Sequence, residues 1–180
     1  MHENLHTKTI WTIGHSNRDI VEFMLLLKEN AIKSLVDVRR FPGSRKWPSY
    51  NQENLVGILK EGDIDYMHMI ELGGRRKPVA ESKNVAWRNE SFRAYADYTE
   101  TSTFQKALQQ LTNLAKDTNV VIMCSEAVWW RCHRSIISDF LKAAGGKVLH
   151  ILAAKKVQEH PYTSAAMVVD GEISYKGLLG

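Results

Sequence analysis

A chain of 180 residues, 44% hydrophobic and 24% charged, can bury one sizeable core and is too apolar for disorder beyond its ends. Its net charge of +4 is too mild to imply a polyanion partner by itself, although Arg39, Arg40, Arg45 and Lys46 cluster, as do Arg75, Arg76 and Lys77. Two cysteines exclude a disulfide framework, and an apolar run such as residues 23–27 is far too short to span a bilayer.

Residues 1–9 lack the apolar centre of a signal peptide, and the cysteine usage fits a reducing, cytoplasmic setting with no membrane partner. The β-branched and aromatic run at residues 9–13 predicts a first strand that stops at Gly14-His15-Ser16. Ser16 and Asp19 then read as a capping box opening a helix to about Asn30. That helix is apolar nearly all round (Ile20, Val21, Phe23 to Leu27). It should therefore be covered on two sides, by the sheet and by another element or a second subunit, which brings in a homo-oligomer.

A second strand is expected at residues 34–38, ended by Arg39-Arg40-Phe41-Pro42-Gly43. Ser49 and Gln52 suggest another capping box before a helix carrying Leu55, Ile58 and Leu59. A third strand at residues 64–69 leads into Leu72-Gly73-Gly74, and residues 75–87 read as a long loop. Phe104, Ala107, Leu108, Leu111 and Ala115 lie on one face of a helix. The continuous run Val120-Val121-Ile122-Met123-Cys124 predicts a central strand buried on both faces. A helix carrying Ile136, Ile137, Phe140, Leu141 and Ala144 follows, closed by Gly145-Gly146, and residues 147–152 form the last core strand. Asp170-Gly171 marks a hairpin turn.

Strands alternating with helices predict an α/β fold: a mostly parallel, doubly wound sheet of about five strands flanked by helices, with a C-terminal hairpin. One domain is expected, with its core at residues 9–152 and an appendage at 153–180. In such sheets ligands bind beyond the carboxyl ends of the strands. Standing at those ends are His15 and Ser16, then Asp37, Arg39 and Arg45, then Glu71, Gly73, Gly74 and Arg75, and finally Cys124, Ser125 and Glu126.

Cys124 and Glu126 are two apart on extended chain and should share a face, a thiol beside a carboxylate. A following helix N-terminus, with Arg131 or Arg134, would favour the Cys124 thiolate. The plain alternative is a small buried hydrophobe ending a strand. Glu126 is either paired with Arg131 or Arg134 or is a general base. Cys132 and His133 share the face turned to the sheet; Cys132 reads as core, His133 is either a satisfied structural histidine, the preferred reading, or reaches toward the strand ends, and Arg134 points elsewhere as an anion ligand. Either Trp129 or Trp130 can stack on a ligand, the other being core, and Trp47 and Trp87 are equal candidates.

Six residues separate Cys124 from Arg131, so the spacing of a phosphatase-type loop is not met. Cys124, Cys132 and His133 lack the paired spacings of structural zinc, although His15 would complete a set, and no metal is assigned. The sequence names no cofactor, and it holds no Walker loop, dinucleotide fingerprint or nucleophile elbow.

Ile13-Gly14-His15-Ser16, Leu35-Val36-Asp37-Val38-Arg39, Leu72-Gly73-Gly74-Arg75 and Phe92-Arg93-Ala94-Tyr95-Ala96-Asp97-Tyr98 occur in this order. Met123-Cys124-Ser125-Glu126-Ala127 and Arg131-Cys132-His133-Arg134 complete the series. Together, over roughly residues 10–151, they resemble the bacterial and archaeal family called domain of unknown function 488. Ala94 stands where that family often has glycine, Ser125 where it often has alanine and Trp129 where proline is common. The resemblance implies an α/β fold with the motif residues at one end of the sheet, and no reaction.

The function expected from the residues is an enzyme acting on a phosphate-bearing substrate, a nucleotide or nucleic acid. Cys124, Glu126, Asp37 and His15 are its catalytic candidates: a nucleophile, two acid/base groups and a proton carrier. Arg39, Gly73, Gly74, Arg75, Arg131, Arg134 and Trp129 are its substrate-binding candidates. The competing expectations are a non-catalytic nucleic-acid-binding module and a thiol redox or sulfur-transfer protein using Cys124.

Overall fold

The structure is a computed structural model, and it describes residues 8–177. The reading of residues 1–7 lies outside the described residues. Five parallel strands form the sheet: β1 (Thr9–Gly14), β2 (Ser34–Asp37), β3 (Asp65–His68), β4 (Val120–Cys124) and β5 (Lys147–Ala153). A sixth, β6 (Lys156–Glu159), adds antiparallel to β5, giving the order β3-β2-β4-β1-β5-β6. The C-terminal hairpin is β7 (Met167–Val169) and β8 (Glu172–Ser174). Both of its turn residues have positive φ, 53° at Asp170 and 80° at Gly171, the geometry that matches strand twist.

Five helices flank the sheet: α1 (Ile20–Glu29), α2 (Gln52–Glu61), α3 (Glu90–Thr99), α4 (Ser102–Asp117) and α5 (Arg134–Ala143). Alternation along β4 shows how the two faces are divided. Val121 and Met123 pack with Phe23, Leu26 and Leu27 of α1 and Leu55 and Leu59 of α2. Val120, Ile122 and Cys124 pack on the other face, with Tyr95 of α3, Phe104 and Leu111 of α4, and Ile136 and Ile137 of α5. All five β4 residues are buried, as the continuous apolar run predicts.

Two local expectations are corrected, and one helix is added. Asp19, not Ser16, caps α1, its carboxylate accepting the Val21 N–H, while Ser16 sits at φ 47° in the preceding turn. Pro48–Tyr50 form a 3₁₀ turn, so Asn51 rather than Ser49 precedes α2. Helix α3 carries a short, mixed apolar pattern and is started by Asn89, whose side chain accepts the N–H groups of Ser91 and Phe92. Among the described residues, Val21 and Leu25 of α1 remain 64% and 61% exposed, so no element of this chain covers that helix all round.

The C-terminal stretch is bound into the core rather than hung from it. Asp139 of α5, fully buried, accepts hydrogen bonds from His160, from the Thr163 backbone and hydroxyl, and from Tyr175. Among the described residues no helix is long and apolar enough to cross a membrane.

The sheet order sets where a ligand can enter. From β1 the chain leaves by α1 over one face; from β4 it leaves by α5 over the other. Since β1 and β4 are neighbours, their carboxyl ends open a crevice at the point where the winding reverses. The last pair of that register is Gly14 against Cys124. Just beyond it the two loops cross so closely that a Cβ on Gly14 would overlap the Glu126 carbonyl. Gly14→Ala is therefore expected to lose about 3 kcal/mol of stability, measured as a lower denaturant midpoint with an unchanged slope.

Candidate functional site

A cavity of about 800 Å³ opens at this crevice, lined by the ends of β1, β2 and β4 and by the loops beyond β2 and β3. A second cavity, about 900 Å³ beside the β7–β8 hairpin, is lined by no cysteine, histidine or arginine. Chemistry is concentrated in the first.

His15 leads out of β1 and is buried, stacked on Tyr50 with ring centroids 4.2 Å apart. Its Nδ1 lies 2.9 Å from the Ser16 carbonyl and its Nε2 3.3 Å from Arg39 Nη1. A carbonyl only accepts and a guanidinium only donates, so Nδ1 carries the proton. Burial pushes the pKa of His15 down to about 4, leaving a neutral ring at the cavity wall.

Asp37 and Arg39 form a buried ion pair, with Nη2 2.6 Å from Oδ2 and Nε 2.9 Å from Oδ1. Tyr66 donates a further hydrogen bond to Asp37, and Arg39 Nη1 donates to the Tyr50 carbonyl. Asp37 is fully buried with both oxygens engaged and does not line the cavity, whereas Arg39 lines it with its guanidinium already paired.

Arg134 is likewise engaged within the protein and does not line the cavity. Its side chain is 1% exposed, with Nη2 2.6 Å from the Glu126 carbonyl, Nη1 3.3 Å from Thr12 Oγ1 and Nε 3.3 Å from Cys132 Sγ. Glu126 thus meets Arg134 through its backbone, while its exposed carboxylate reaches only the Ala127 N–H. Arg131 is exposed and lines neither cavity. Trp129 is the core member of the tryptophan pair. It stacks on His150 at 4.5 Å and donates to Gln158, whereas Trp130 is half exposed away from the cavity.

From Thr12 a buried chain of hydrogen bonds runs to His150 (2.6 Å), on to His160 (2.9 Å) and to Asp139 (2.9 Å). Arg134 can only donate at one end and Asp139 accepts at the other, which orients every proton between them. None of this was legible as a motif, because His160 and Tyr175 lie beyond the strands that carry the pattern.

The sulfur chemistry differs most from the sequence reading. Cys124 and Cys132 are both buried and free, and their sulfurs lie with His133 in a group whose ligand-type atoms fall within 4.8 Å of one another. Burial alone would raise the Cys132 thiol. The hydrogen bond from Cys124, the charge of Arg134 and the Arg134 N–H groups outweigh it and pull Cys132 below the ordinary thiol range. Cys124 moves the opposite way, raised by its hydrogen bond to Cys132 and by burial. The helix-start and arginine effect expected at Cys124 therefore acts on Cys132, which is closer to both.

His133, read as structural, does both jobs. Nε2 lies 3.0 Å from the Val38 carbonyl, holding the ring, while the ring edge lines the cavity beside Gly74. Gly74 is needed there because a Cβ would come 3.0 Å from His133 Nδ1, and a Cβ on Gly73 would press on the Arg40 backbone. The glycines make room for His133 and the β2 loop more directly than for an anion.

At the rim stand Arg40, Lys46 and Arg75, with Phe41, Ser44 and Trp47. Arg75 is held at φ 56° while its carbonyl accepts from Arg40 Nη1 at 3.0 Å. Glu126 is the one carboxylate lining the cavity among the described residues. Arg45, also expected at a strand end, is exposed and does not line it. Lys46 and Phe41 carry no spacing signal, and only the clustering of arginine and lysine after β2 points to them; Trp47, one of the stacking candidates, lines the cavity, whereas Trp87 does not.

Burial holds His15 at about 4 and His150 at about 2, and lowers His133 as well. Each takes up a proton in the unfolded chain at a higher pH than in the folded one. The stability these histidines contribute is present above the unfolded value of about 6.5 and is lost as pH falls through it, towards 4 for His15 and on towards 2 for His150, with His15 alone contributing roughly 3 kcal/mol. Denaturant unfolding at pH 7 and pH 4.5 should show the loss, and His15→Gln should shrink the difference by that amount.

No curated protein and no solved structure matches the chain. A family model described as Domain of unknown function DUF488 matches residues 19–141, which take in the ion pair after β2, Gly73-Gly74, both cysteines, His133 and Arg134. The chain belongs to the DUF488 family.

Proposed function

We propose that this protein is an enzyme that binds a phosphate-bearing small molecule, of nucleotide size, in the crevice between β1 and β4. The single observation that carries the reading is a rim of Arg40, Lys46 and Arg75 above a floor of Cys124 and His133 in one cavity of about 800 Å³. That volume suits one drug-sized ligand. The rim cations are not paired with carboxylates among the described residues, so their field is available to an anion. Arg39 and Arg134, by contrast, are already engaged. Phe41 lies under both Arg40 and Arg75, 5.8 and 6.0 Å from the guanidinium carbons, and Trp47 lies under Lys46 at 5.3 Å, so aromatic faces adjoin the charges. A base-bearing ligand would find stacking and charge together.

Glu126 is the acid/base group best placed for such a ligand, being exposed at the cavity wall. Cys124 and His133 supply the reactive floor, with Cys132 buried beside them. His15 is a neutral hydrogen-bonding wall rather than a proton carrier near pH 7, since its pKa is about 4.

Calorimetric titration with nucleoside mono-, di- and triphosphates tests the reading. Arg40→Ala and Arg75→Ala are each expected to weaken the bound ligand about tenfold or more, while Arg131→Ala leaves it unchanged. Glu126→Gln should bind and fail to turn over. Absence of saturable binding to any phosphate-bearing small molecule would sink the proposal. Tight, steeply salt-dependent binding of oligonucleotides that ignores Glu126→Gln and Cys124→Ser would replace it with a nucleic-acid-binding module.

A further inference from the structure

We propose that Cys124, Cys132 and His133 form a metal centre for a Zn²⁺-like divalent ion, with the fourth coordination position open to the cavity. The inference rests on the cavity being the working site, and it names the group that would act there.

The distances fit the chemistry. Zinc takes thiolate sulfur at about 2.3 Å and imidazole nitrogen at about 2.0 Å, so ligand atoms of a tetrahedral centre stand about 3.5–4 Å apart. Here the three ligand-type atoms lie within 4.8 Å of one another, and Cys132 Sγ is 3.7 Å from His133 Nδ1.

The orientation of His133 is that of a ligand already held by an outer partner. Its Nε2 faces the Val38 carbonyl at 3.0 Å, and a carbonyl can only accept, so Nε2 carries the hydrogen. Nδ1 is left with a bare lone pair directed at the sulfurs. A histidine that gives its other ring N–H to a backbone carbonyl is the common supporting arrangement at metal sites.

Cys132 is likewise prepared as a thiolate. The Arg134 backbone N–H and Nε stand 3.5 and 3.3 Å from its sulfur. The other donors of that buried guanidinium go to a carbonyl and a hydroxyl, which leaves the sulfur as the one contacting group able to bear a negative charge. A thiolate and a bare imidazole nitrogen at 3.7 Å turn lone pairs toward one space, with the single Cys124 proton to share among three donors. A divalent cation satisfies all three at once. Two thiolates then neutralise it, and Arg134 remains as an outer donor to sulfur.

The open side is also defined. Cys124 and His133 line the cavity, whereas Cys132 does not. Gly74 covers Nδ1 with no side chain, and a Cβ there would stand 3.0 Å from that atom. Three protein ligands with a vacant fourth position is the pattern of catalytic rather than structural zinc. A water in that position would lie under the cationic rim, where a phosphate-bearing molecule is expected. The Cys-and-His spacing hides this centre because its parts come from the end of β4 and the start of α5, which only the fold brings together.

The test is anaerobic titration of the full, chelator-treated and reduced protein with Co²⁺. One equivalent should produce a sulfur-to-cobalt charge-transfer band with the visible bands of a tetrahedral site, and Zn²⁺ should displace it. Cys124→Ser and His133→Gln should each weaken binding by about a hundredfold or more, because even outer-partner changes cost 10–100-fold. Zn²⁺ should also slow alkylation of both cysteines. Cys132→Ser is less informative if it fails to fold, so thermal melts accompany all three variants. No saturable binding, bands lacking sulfur character, or wild-type affinity in both Cys124→Ser and His133→Gln would overturn the centre. Ready formation of a Cys124–Cys132 disulfide in the presence of excess Zn²⁺ would do so too, and would favour a thiol redox pair. The two proposals fail separately. Cobalt binding with no phosphate ligand sensitive to Arg40→Ala or Arg75→Ala removes the substrate reading alone, and phosphate binding without cobalt binding removes the metal alone.

Discussion

A guanidinium buried to 1% exposure, with no carboxylate among its contacts, is the constraint around which this site is organised. A charge so placed is tolerated only when each donor finds an acceptor and some negative group lies within reach. Arg134 meets the first condition by gathering three separate pieces of chain: Thr12 in β1, the Glu126 carbonyl beyond β4, and Cys132 before α5. It meets the second in two directions. One is the adjacent Cys132 sulfur; the other is the hydrogen-bonded line through Thr12, His150 and His160 to Asp139. Removing the charge would therefore loosen the crevice and leave several buried polar groups without partners at the same time.

The same residue joins the sheet to the C-terminal stretch. Asp139 is saturated by His160, Thr163 and Tyr175, so residues after β6 complete the network that begins at the cavity floor. Trp129 stacks across His150 and meets His160 edge-on, closing the network from solvent. Such a dry, fully satisfied arrangement is stiff. Arg134 ties this arrangement to the Glu126 carbonyl and to the Cys132 sulfur, so both positions are anchored from the core as well as by their own loops.

The fold was legible because its signals are local and repeated. Val120 to Cys124 announces a central strand, and the 104–115 periodicity announces α4. What stayed hidden was decided by partners distant in sequence. Lys156 to Glu159 becomes an edge strand because β5 offers a free edge, which no feature of those four residues declares. Asp37 and Arg39 looked like free site groups because a sequence shows which charges lie at strand ends and not which are already paired. Cys132 and His133 looked structural for a related reason. Helical periodicity placed them facing the sheet, correctly, but could not show that the sheet residue facing them is Cys124.

That distinction between compensated and uncompensated charge is what gives the site its direction. Arg39 and Arg134 are buried, each already engaged by groups of the protein, and they hold the shape of the site. Arg40, Lys46 and Arg75 sit at the rim with aromatic rings beneath them, and theirs is the positive field that reaches solvent. Of the soft donors beneath that rim, Cys124 and His133 line the cavity, while Cys132 is buried beside them and does not. On the proposed reading, hard anionic groups would be held by hydrogen bonding and charge at the rim, and the soft floor would be left for chemistry that sulfur, or an ion held by sulfur, performs. On that reading binding would be separated from reaction within one cavity, with Glu126 its one lining carboxylate among the described residues.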